Sequence, residues 1–373
     1  MSALNVALIG YGFMGKAHSN AYAQVGHFFP DVRKVRRKVV CGRNRAGLEA
    51  LAKAWEWEEI ESDWRRVIER KDVDLVDICT PNYLHSEMAI AAAEAGKMVL
   101  CEKPLANNLA EAREMTEAVA SVPNFVWFNY RRVPAVELAR RFIEEGRLGR
   151  IYQYRAQYLQ QWGPDPSRPR NWKMSKRTAG SGVNGDLNSH LVDMAMMLLG
   201  PIRELSATFE TFLAKRPDPD NPGSTYPVDI DDAVLVQARF DNGALGSFEA
   251  TRFATGFQND NSFVVHGSRG MVEFHFEDMN RLVFADAGGD PDLRGRRTLL
   301  APSPGPPGAP HYWKPGHPLG YEHTFISSLA DFLVGLDTQE PAKPTFEDGL
   351  TVQRVLAAVE ASALGRHWVE TGL

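Results

Sequence analysis

The sequence predicts an α/β protein of two domains, a doubly wound parallel sheet followed by an α+β domain built on a large, mostly antiparallel open sheet. Three observations carry this. The first third alternates short β-branched runs with Ala-rich helical segments. The remainder replaces that alternation with long strands joined by glycine turns. A chain of 373 residues also exceeds what one ordinary core holds. The domains are expected at residues 1–128 and 129–373.

In the first domain, residues 6–9, 39–41, 75–79, 98–101 and 125–128 form near-continuous apolar runs. Between them, residues 86–95 and 109–120 carry apolar side chains at helical spacing. Strands apolar on both faces and separated by helices imply a parallel sheet covered on both sides. In the second domain one helix is expected over residues 134–145, ending at Gly146. Alternating strands follow over 151–160, 204–213, 233–240 and 244–251. Asp241-Asn242-Gly243 and Gly267-Ser268-Arg269-Gly270 read as hairpin turns. Residues 215–227 and 302–320 show no periodicity and read as loops, the longer one a lid, a subunit contact or disordered.

Composition excludes several classes. A net charge of −5 argues against sequence-independent nucleic-acid binding, which needs clustered Lys and Arg. The basic run 33–38 is short and isolated and reads as a solvated surface loop. No apolar stretch approaches the ~18 residues that span a bilayer. The first apolar run leads straight into glycines, as a strand does and a signal peptide does not. Cys41, Cys79 and Cys101 are each embedded in an apolar run and read as reduced core thiols, neither disulfide nor metal ligands, which suits the cytoplasm.

Gly10-Tyr11-Gly12-Phe13-Met14-Gly15 fits G-x-G-x-x-G. Alone the motif is weak; directly after a first strand and at the start of a helix it has the context of a Rossmann dinucleotide site. There glycines let the backbone approach a pyrophosphate at the helix N-terminus. The second strand ends in Gly42-Arg43-Asn44 with no acidic residue to hold the adenosine ribose, and Arg43 suits a 2′-phosphate. NAD or NADP is therefore expected, with NADP favoured. Thr80-Pro81-Asn82 and Glu102-Lys103-Pro104 follow the third and fourth strands, at the carboxyl ends where such sheets bind ligands. A glycine-rich loop, residues 179–185, then runs into a helix in which Asp186 and His190, four apart, share one face. Asp186 is expected in the first helical turn, where the dipole favours its charge. On these residues alone, Asp186 as a plain helix cap and His190 as a satisfied helical histidine stay open.

Taken together, these motifs resemble the glucose–fructose oxidoreductase / inositol dehydrogenase / MocA family over nearly the whole chain. The stretch from Phe13 to Ser19, Asn129-Tyr130-Arg131-Arg132-Val133-Pro134, Tyr158-Leu159-Gln160 with Trp162, and Gly182 to His190 are most similar to its levoglucosan and inositol dehydrogenases. The resemblance implies that Lys103, Asp186 and His190 form the catalytic group. It implies that Thr80, Pro81, Asn82, His85 and Glu102 line the cofactor site and that Trp172 lies near the nicotinamide. Lys173 stands where relatives often carry Arg. It implies an open sheet that pairs subunits into a homodimer or homotetramer. The expected reaction moves a hydride between a secondary alcohol of a sugar, anhydrosugar or cyclitol and nicotinamide. From their placement, Asn129, Arg131, Tyr158, Gln160 and Asn188 are expected to hold further hydroxyls, with Trp162 covering an apolar sugar face. Two alternatives are a redox-neutral enzyme that retains its cofactor and a non-catalytic nucleotide-sensing relative. Neither nucleic acid nor membrane is expected as a partner.

Overall fold

The structure, a computed structural model, describes residues 3–288, 290–301 and 309–373. The chain begins β1 (Leu4–Ile9), α1 (Phe13–Phe28), β2 (Val35–Cys41), α2 (Arg45–Trp55), β3 (Glu59–Glu61), α3 (Trp64–Glu69), β4 (Leu75–Ile78), α4 (His85–Glu94), β5 (Met98–Cys101), α5 (Leu109–Ala118) and β6 (Asn124–Val126). These six strands are all parallel, in the order β3-β2-β1-β4-β5-β6. The order reverses between β1 and β4, the switch point at which such sheets open a ligand crevice. Val6, Ala7, Leu8, Leu75, Val76, Val99 and Leu100 are fully buried, as strands covered on both faces must be.

The chain continues with α6 (Pro134–Glu144), β7 (Ile151–Leu159), α7 (Lys176–Ala179), α8 (Ser189–Leu199), β8 (Ile202–Glu210), β9 (Lys215–Pro217), β10 (Thr225–Pro227), β11 (Ala233–Phe240), β12 (Leu245–Thr251), β13 (Asp260–Gly267), β14 (Gly270–His275), β15 (Arg281–Asp286) and β16 (Arg297–Leu300). It ends with α9 (Ala309–Tyr312), α10 (Tyr321–Thr338), α11 (Phe346–Gly365) and β17 (Val369–Glu370). Nine strands form one sheet in the order β16-β15-β14-β13-β7-β12-β11-β8-β17. Only the β7–β12 pair in it is parallel; the other pairings are antiparallel. Both expected hairpins are present, β11–β12 and β13–β14, and Gly243 takes the positive φ of 84° that the first turn needs. Val234, Val236, Ala238 and Phe240 of β11 point into the core while Leu235, Gln237 and Arg239 are exposed. One face carries helices: Phe142 of α6 packs on Phe284 of β15 at 5.0 Å, and Ser362 of α11 accepts a hydrogen bond from the Ala207 amide of β8. The other face is concave and lined by Gln157, Thr208, Leu235, Gln237, Glu249 and His275.

Two compact units emerge, residues 1–132 with 320–350, and residues 133–319 with 351–373. The chain thus passes between them three times, where a split at residue 128 has one crossing, because α10 packs with the first unit.

Three local readings are corrected. The basic run 33–38 is mostly the start of β2, not a loop. Its charges are met by acidic side chains at and beside the edge strand: Arg36 by Glu58, Arg37 by Glu56 at 2.9 Å, Lys38 by Glu59 at 2.7 Å. The stretch 215–227 contains the small antiparallel β9–β10 pair. Of 302–320, residues 302–308 lie outside the described residues, while α9 occupies part of the rest.

Candidate active site

The first unit builds a cradle for a dinucleotide from bare backbone. Gly10 has φ of 122°, a conformation closed to most side chains, and an added Cβ there would lie 2.6 Å from the Cys79 carbonyl. Gly15 packs so closely on the Gly10 carbonyl that a Cβ would collide with it. Gly12 caps α1 without a side-chain hydrogen bond, and a Cβ added to it would meet nothing within 4 Å. Uncapped N–H groups over open space at a helix N-terminus are what a pyrophosphate requires, so these residues fit the cofactor. Phe13 is exposed and stacks 6.1 Å from Tyr321; Met14 is half-buried beside it. The Tyr11 ring lies against Gly42 and Gly47, leaving no room for a side chain at either. Asn44 caps α2, accepting from the Gly47 amide at 2.9 Å, and Arg45 pairs with Glu49. Arg43 is exposed and has no ion-pair partner among the described residues.

At the carboxyl ends of β4 and β5, Thr80, Pro81, Asn82, Glu102 and Lys103 sit where the sequence places them. His85 differs in kind: it is fully buried, with Nε2 3.0 Å from the Thr80 carbonyl and Nδ1 3.2 Å from those of Pro104 and Leu105. Burial holds its imidazole below the ordinary value, and as a neutral ring it donates to the carbonyls on one side only while packing between the two strand ends. Glu102 is buried; one oxygen accepts the Lys103 amide at 3.0 Å, and the other lies 3.0 Å from His18 Nε2. His18 Nδ1 is 2.9 Å from Asp77 and 3.0 Å from the Cys79 thiol. Among the described residues, His18, Asp77 and Cys79 bring three potential metal-ligand atoms within 4.8 Å of one another, and they are hydrogen-bonded to each other. Asn129 and Arg131 also belong to this unit. The Asn129 amide donates to Thr324, and Arg131 pairs with Asp348 at 3.5 Å, so both serve packing there.

In the second unit, Asn184–Asn188 forms a single π-helical turn that leads into α8. Such turns insert an extra residue and recur at functional sites. This corrects the expected regular helix. Asp186 lies in the π turn, and its charge is met by side chains: Lys173 Nζ at 3.0 and 3.1 Å and Arg252 Nη2 at 3.0 Å. The loop is held from below by Asp231, whose carboxylate accepts the Gly182 and Asn184 amides, both at 2.7 Å. A Cβ at Gly182 would collide with the Asp231 backbone, which is why glycine stands there. Burial raises the Asp231 carboxyl above its ordinary range, against the pull of those amides. His190 is buried in the first turn of α8, its ring 5.9 Å from that of Tyr158. Asn188 is fully buried and donates to Asn184 at 3.0 Å.

A polar ladder adjoins this turn. Tyr158 and Gln160 both donate to Asn259, at 2.9 and 2.8 Å, and the Trp162 indole donates to Gln160 at 2.7 Å. Arg252 lies over the Trp162 ring at 4.8 Å. Trp172 has Lys173 Nζ 5.6 Å from its ring centre. Tyr158, Gln160, Trp162, Trp172, Asp186, Asn188 and His190 are thus gathered in one unit.

The sequence reading missed Arg252, Asp231 and Asn259. Arg252 is 1% exposed, yet its Nε and Nη1 have no hydrogen-bond partner among the described residues. Buried donors are almost always satisfied, so this guanidinium is unusual. A charged residue placed directly after an alternating strand was its one sequence signal.

Comparison with known proteins agrees with this architecture. Residues 4–130 match the oxidoreductase family with an NAD-binding Rossmann fold, and residues 136–273 match the GFO/IDH/MocA C-terminal domain. The chain is 41% identical to levoglucosan dehydrogenase of Pseudarthrobacter phenanthrenivorans, over 99% of this chain and 98% of that protein. Among solved structures it is similar to an oxidoreductase domain protein from Kribbella flavida, with TM-score 0.95, 47% identity and full coverage of both chains. It is equally similar in fold to a levoglucosan dehydrogenase in complex with NADH and levoglucosan, with TM-score 0.96, 42% identity and full coverage of both. Glycine cradle, strand-end Lys103, braced Asp186–His190 turn and full-length likeness converge: the chain belongs to the GFO/IDH/MocA family and is an oxidoreductase of its sugar and cyclitol dehydrogenase class, with an NAD-binding Rossmann domain.

Proposed function

We propose that this enzyme oxidises or reduces one secondary alcohol of a sugar, anhydrosugar or cyclitol, with anhydrosugars of the levoglucosan type first among its substrates. The observation that carries the reading is the cluster around Asp186. A carboxylate held by Lys173 and Arg252 stands one turn before a buried histidine, beside the indole of Trp162. Arg252 Nε and Nη1 are buried donors that substrate hydroxyl oxygens would satisfy, and Trp162 offers an apolar sugar face a surface to pack on.

When bound, the nicotinamide accepts the hydride of the carbinol carbon. The chain's residues manage the proton. His190 takes it from the alcohol, because an imidazole titrates near neutrality and accepts a proton there without great cost. Asp186 orients the ring and stabilises the positive charge that develops. Lys103 donates to the same oxygen and offsets its growing negative charge. Tyr158, Gln160 and Asn188 hold other hydroxyls. Asn129 and Arg131, engaged with Thr324 and Asp348, would have to exchange those bonds to do so.

NAD is supported by the NADH complex of the relative. Use of NADP alongside it is supported by Arg43, exposed and without an ion-pair partner among the described residues, at a strand end with no carboxylate. A homodimer or homotetramer is supported by the concave sheet face, on which Leu235 is 56% exposed. Three free cysteines support the cytoplasm; among the described residues no helix is long and apolar enough to cross a membrane.

The test is a panel of anhydrosugars, glucosides and cyclitols assayed with both cofactors by the absorbance of reduced nicotinamide. Turnover on an anhydrosugar is expected. Silence across the panel, with cofactor still bound after purification, would shift the reading to the redox-neutral alternative. Light scattering should show an assembly larger than one chain at micromolar concentration.

A further inference from the structure

The mechanism above leaves unused a fully buried set of ionisable side chains in the first unit. We infer that His18 is a positioning residue for the nicotinamide edge: bonding Asp77 through one ring nitrogen and Glu102 through the other, it ties the helix that opens the pyrophosphate cradle to the strand end that carries Lys103. The kinetic part of its test rests on the proposed dehydrogenase reading.

Two carboxylates flanking one ring favour its charged form. Nδ1 lies 2.9 Å from Asp77 Oδ2 and Nε2 lies 3.0 Å from Glu102 Oε1. A neutral imidazole has a single N–H and can donate to only one of the two; the imidazolium donates to both. Burial is the largest single influence and pushes the ring's proton affinity down, but the charge and hydrogen bonds of Asp77 and Cys79 together hold His18 well above the ordinary histidine range. The groups around the ring come from four elements and their flanks. Asp77 lies on β4 and also accepts the Tyr22 hydroxyl and the Trp127 indole N–H, both at 2.9 Å. Cys79 follows β4; burial pushes its thiol up to about 12, so it stands beside Nδ1 as a neutral group. Glu102 follows β5. The rings of Trp127 and Phe325, at 4.2 and 5.4 Å, close off water. Tyr321 of α10 has its hydroxyl held well above the ordinary range by burial, with Tyr130 and the Glu102 charge adding to it.

Glu102 connects this network to the chemistry. With one oxygen on His18, it offers the other to the Lys103 amide at 3.0 Å. Without the imidazolium, two buried carboxylates would face each other uncompensated and one would take up a proton. The acceptor that fixes the Lys103 backbone would then be free to turn, with Lys103 on it.

The first measurement needs no activity. In the full chain labelled with ¹⁵N-histidine, with and without NADH, the resonance that vanishes in His18→Asn should report both ring nitrogens still protonated above the pH at which an exposed histidine has lost its proton. A neutral ring there overturns the inference. In kinetics, His18→Asn should lower kcat by about 10- to 100-fold, the usual effect of a small misplacement, while the sugar KM and the Kd for NADH move by less than about threefold. The kcat profile should also gain a limb from the carboxylate left without its cation. Glu102→Gln should reproduce the kcat loss, and the pair should be little worse than either alone. His18→Asn combined with Asp77→Asn removes the cation and one carboxylate together, so the core keeps its charge balance. That variant should regain thermal stability without regaining kcat. A loss confined to Tm, with kcat per folded molecule and its pH profile unchanged, would make His18 merely structural. If the wild type turns over no sugar, the dehydrogenase reading fails while the resonance still decides this inference.

Discussion

The two charged clusters of this protein invert each other. In the first unit one imidazolium stands between two carboxylates, fully buried, and every polar atom around it is spent on a neighbour. In the second, one carboxylate stands between two cations, with Lys173 37% exposed, and Arg252 keeps donors without a partner among the described residues. A closed cluster holds a backbone in place; an open one with spare donors is built to receive a ligand. The difference supports the proposed division between positioning residues and residues that touch substrate.

The hardest blow to that contrast falls on the chemistry. His190→Ala should reduce kcat by roughly 10²–10⁴, the contribution of a positioned general base, with cofactor affinity little changed. Lys103→Ala should be comparably severe. The double variant should be little worse than the poorer single one, since residues acting as a unit are not additive. Single-turnover kinetics beside a cofactor titration measures this, and near-normal turnover in either single variant removes that residue from the mechanism.

Next in size is the open cluster's buried half. Arg252→Leu should cost about 1–3 kcal/mol of stability, the worth of a charged hydrogen bond, because Asp186 keeps Lys173 but loses its buried partner. Lys173→Ala, at the exposed side, should cost no more than about 1 kcal/mol. Denaturant titration separates them, and equal losses would show that burial does not divide the two cations as described. If the spare donors of Arg252 meet substrate, the sugar KM should rise more in Arg252→Lys than in Lys173→Ala.

A smaller effect tests the cradle. Arg43→Ala should weaken NADP(H) by roughly 1–3 kcal/mol, the worth of a charged hydrogen bond, and leave NAD(H) nearly unchanged. Equal shifts for both cofactors would remove Arg43 from recognition of the 2′-phosphate.

The smallest effect concerns pH and the closed cluster. His18 binds its proton more tightly folded than unfolded. Its stabilisation is therefore complete below about pH 6.5, the ordinary histidine value, and is lost only as pH rises through the folded value well above it. Thermal melts of the wild type should hold steady through neutrality and fall on the alkaline side. That alkaline fall should be shallower in His18→Asn combined with Asp77→Asn.

Much of the site was legible because its signals are local. Glycine spacing after an apolar strand, a lysine at a strand end, and a glycine loop before Asp186 and His190 each lie within a dozen residues. The misreadings came where charge was taken for exposure. Residues 33–38 look solvated by composition, yet most of them open β2, neutralised by glutamates about twenty residues later. Asp186 does stand in a first helical turn, as expected, but the turn is π-helical where a regular helix was read, and Lys173 and Arg252 meet its charge.

The sequence by itself determined the parallel sheet and its glycine turn and supplied the candidate chemical residues, since periodicity and turn chemistry are written in adjacent positions. Only the tertiary structure decided which charges meet. Arg252 reaches Asp186 across 66 residues, and His18 reaches Asp77 and Glu102 across 59 and 84. Likewise, β7 lies parallel to β12 in the middle of a sheet that turn signals alone would draw as hairpins. Such pairings follow from how strands and helices pack, and packing brings together side chains that no local pattern of residues connects.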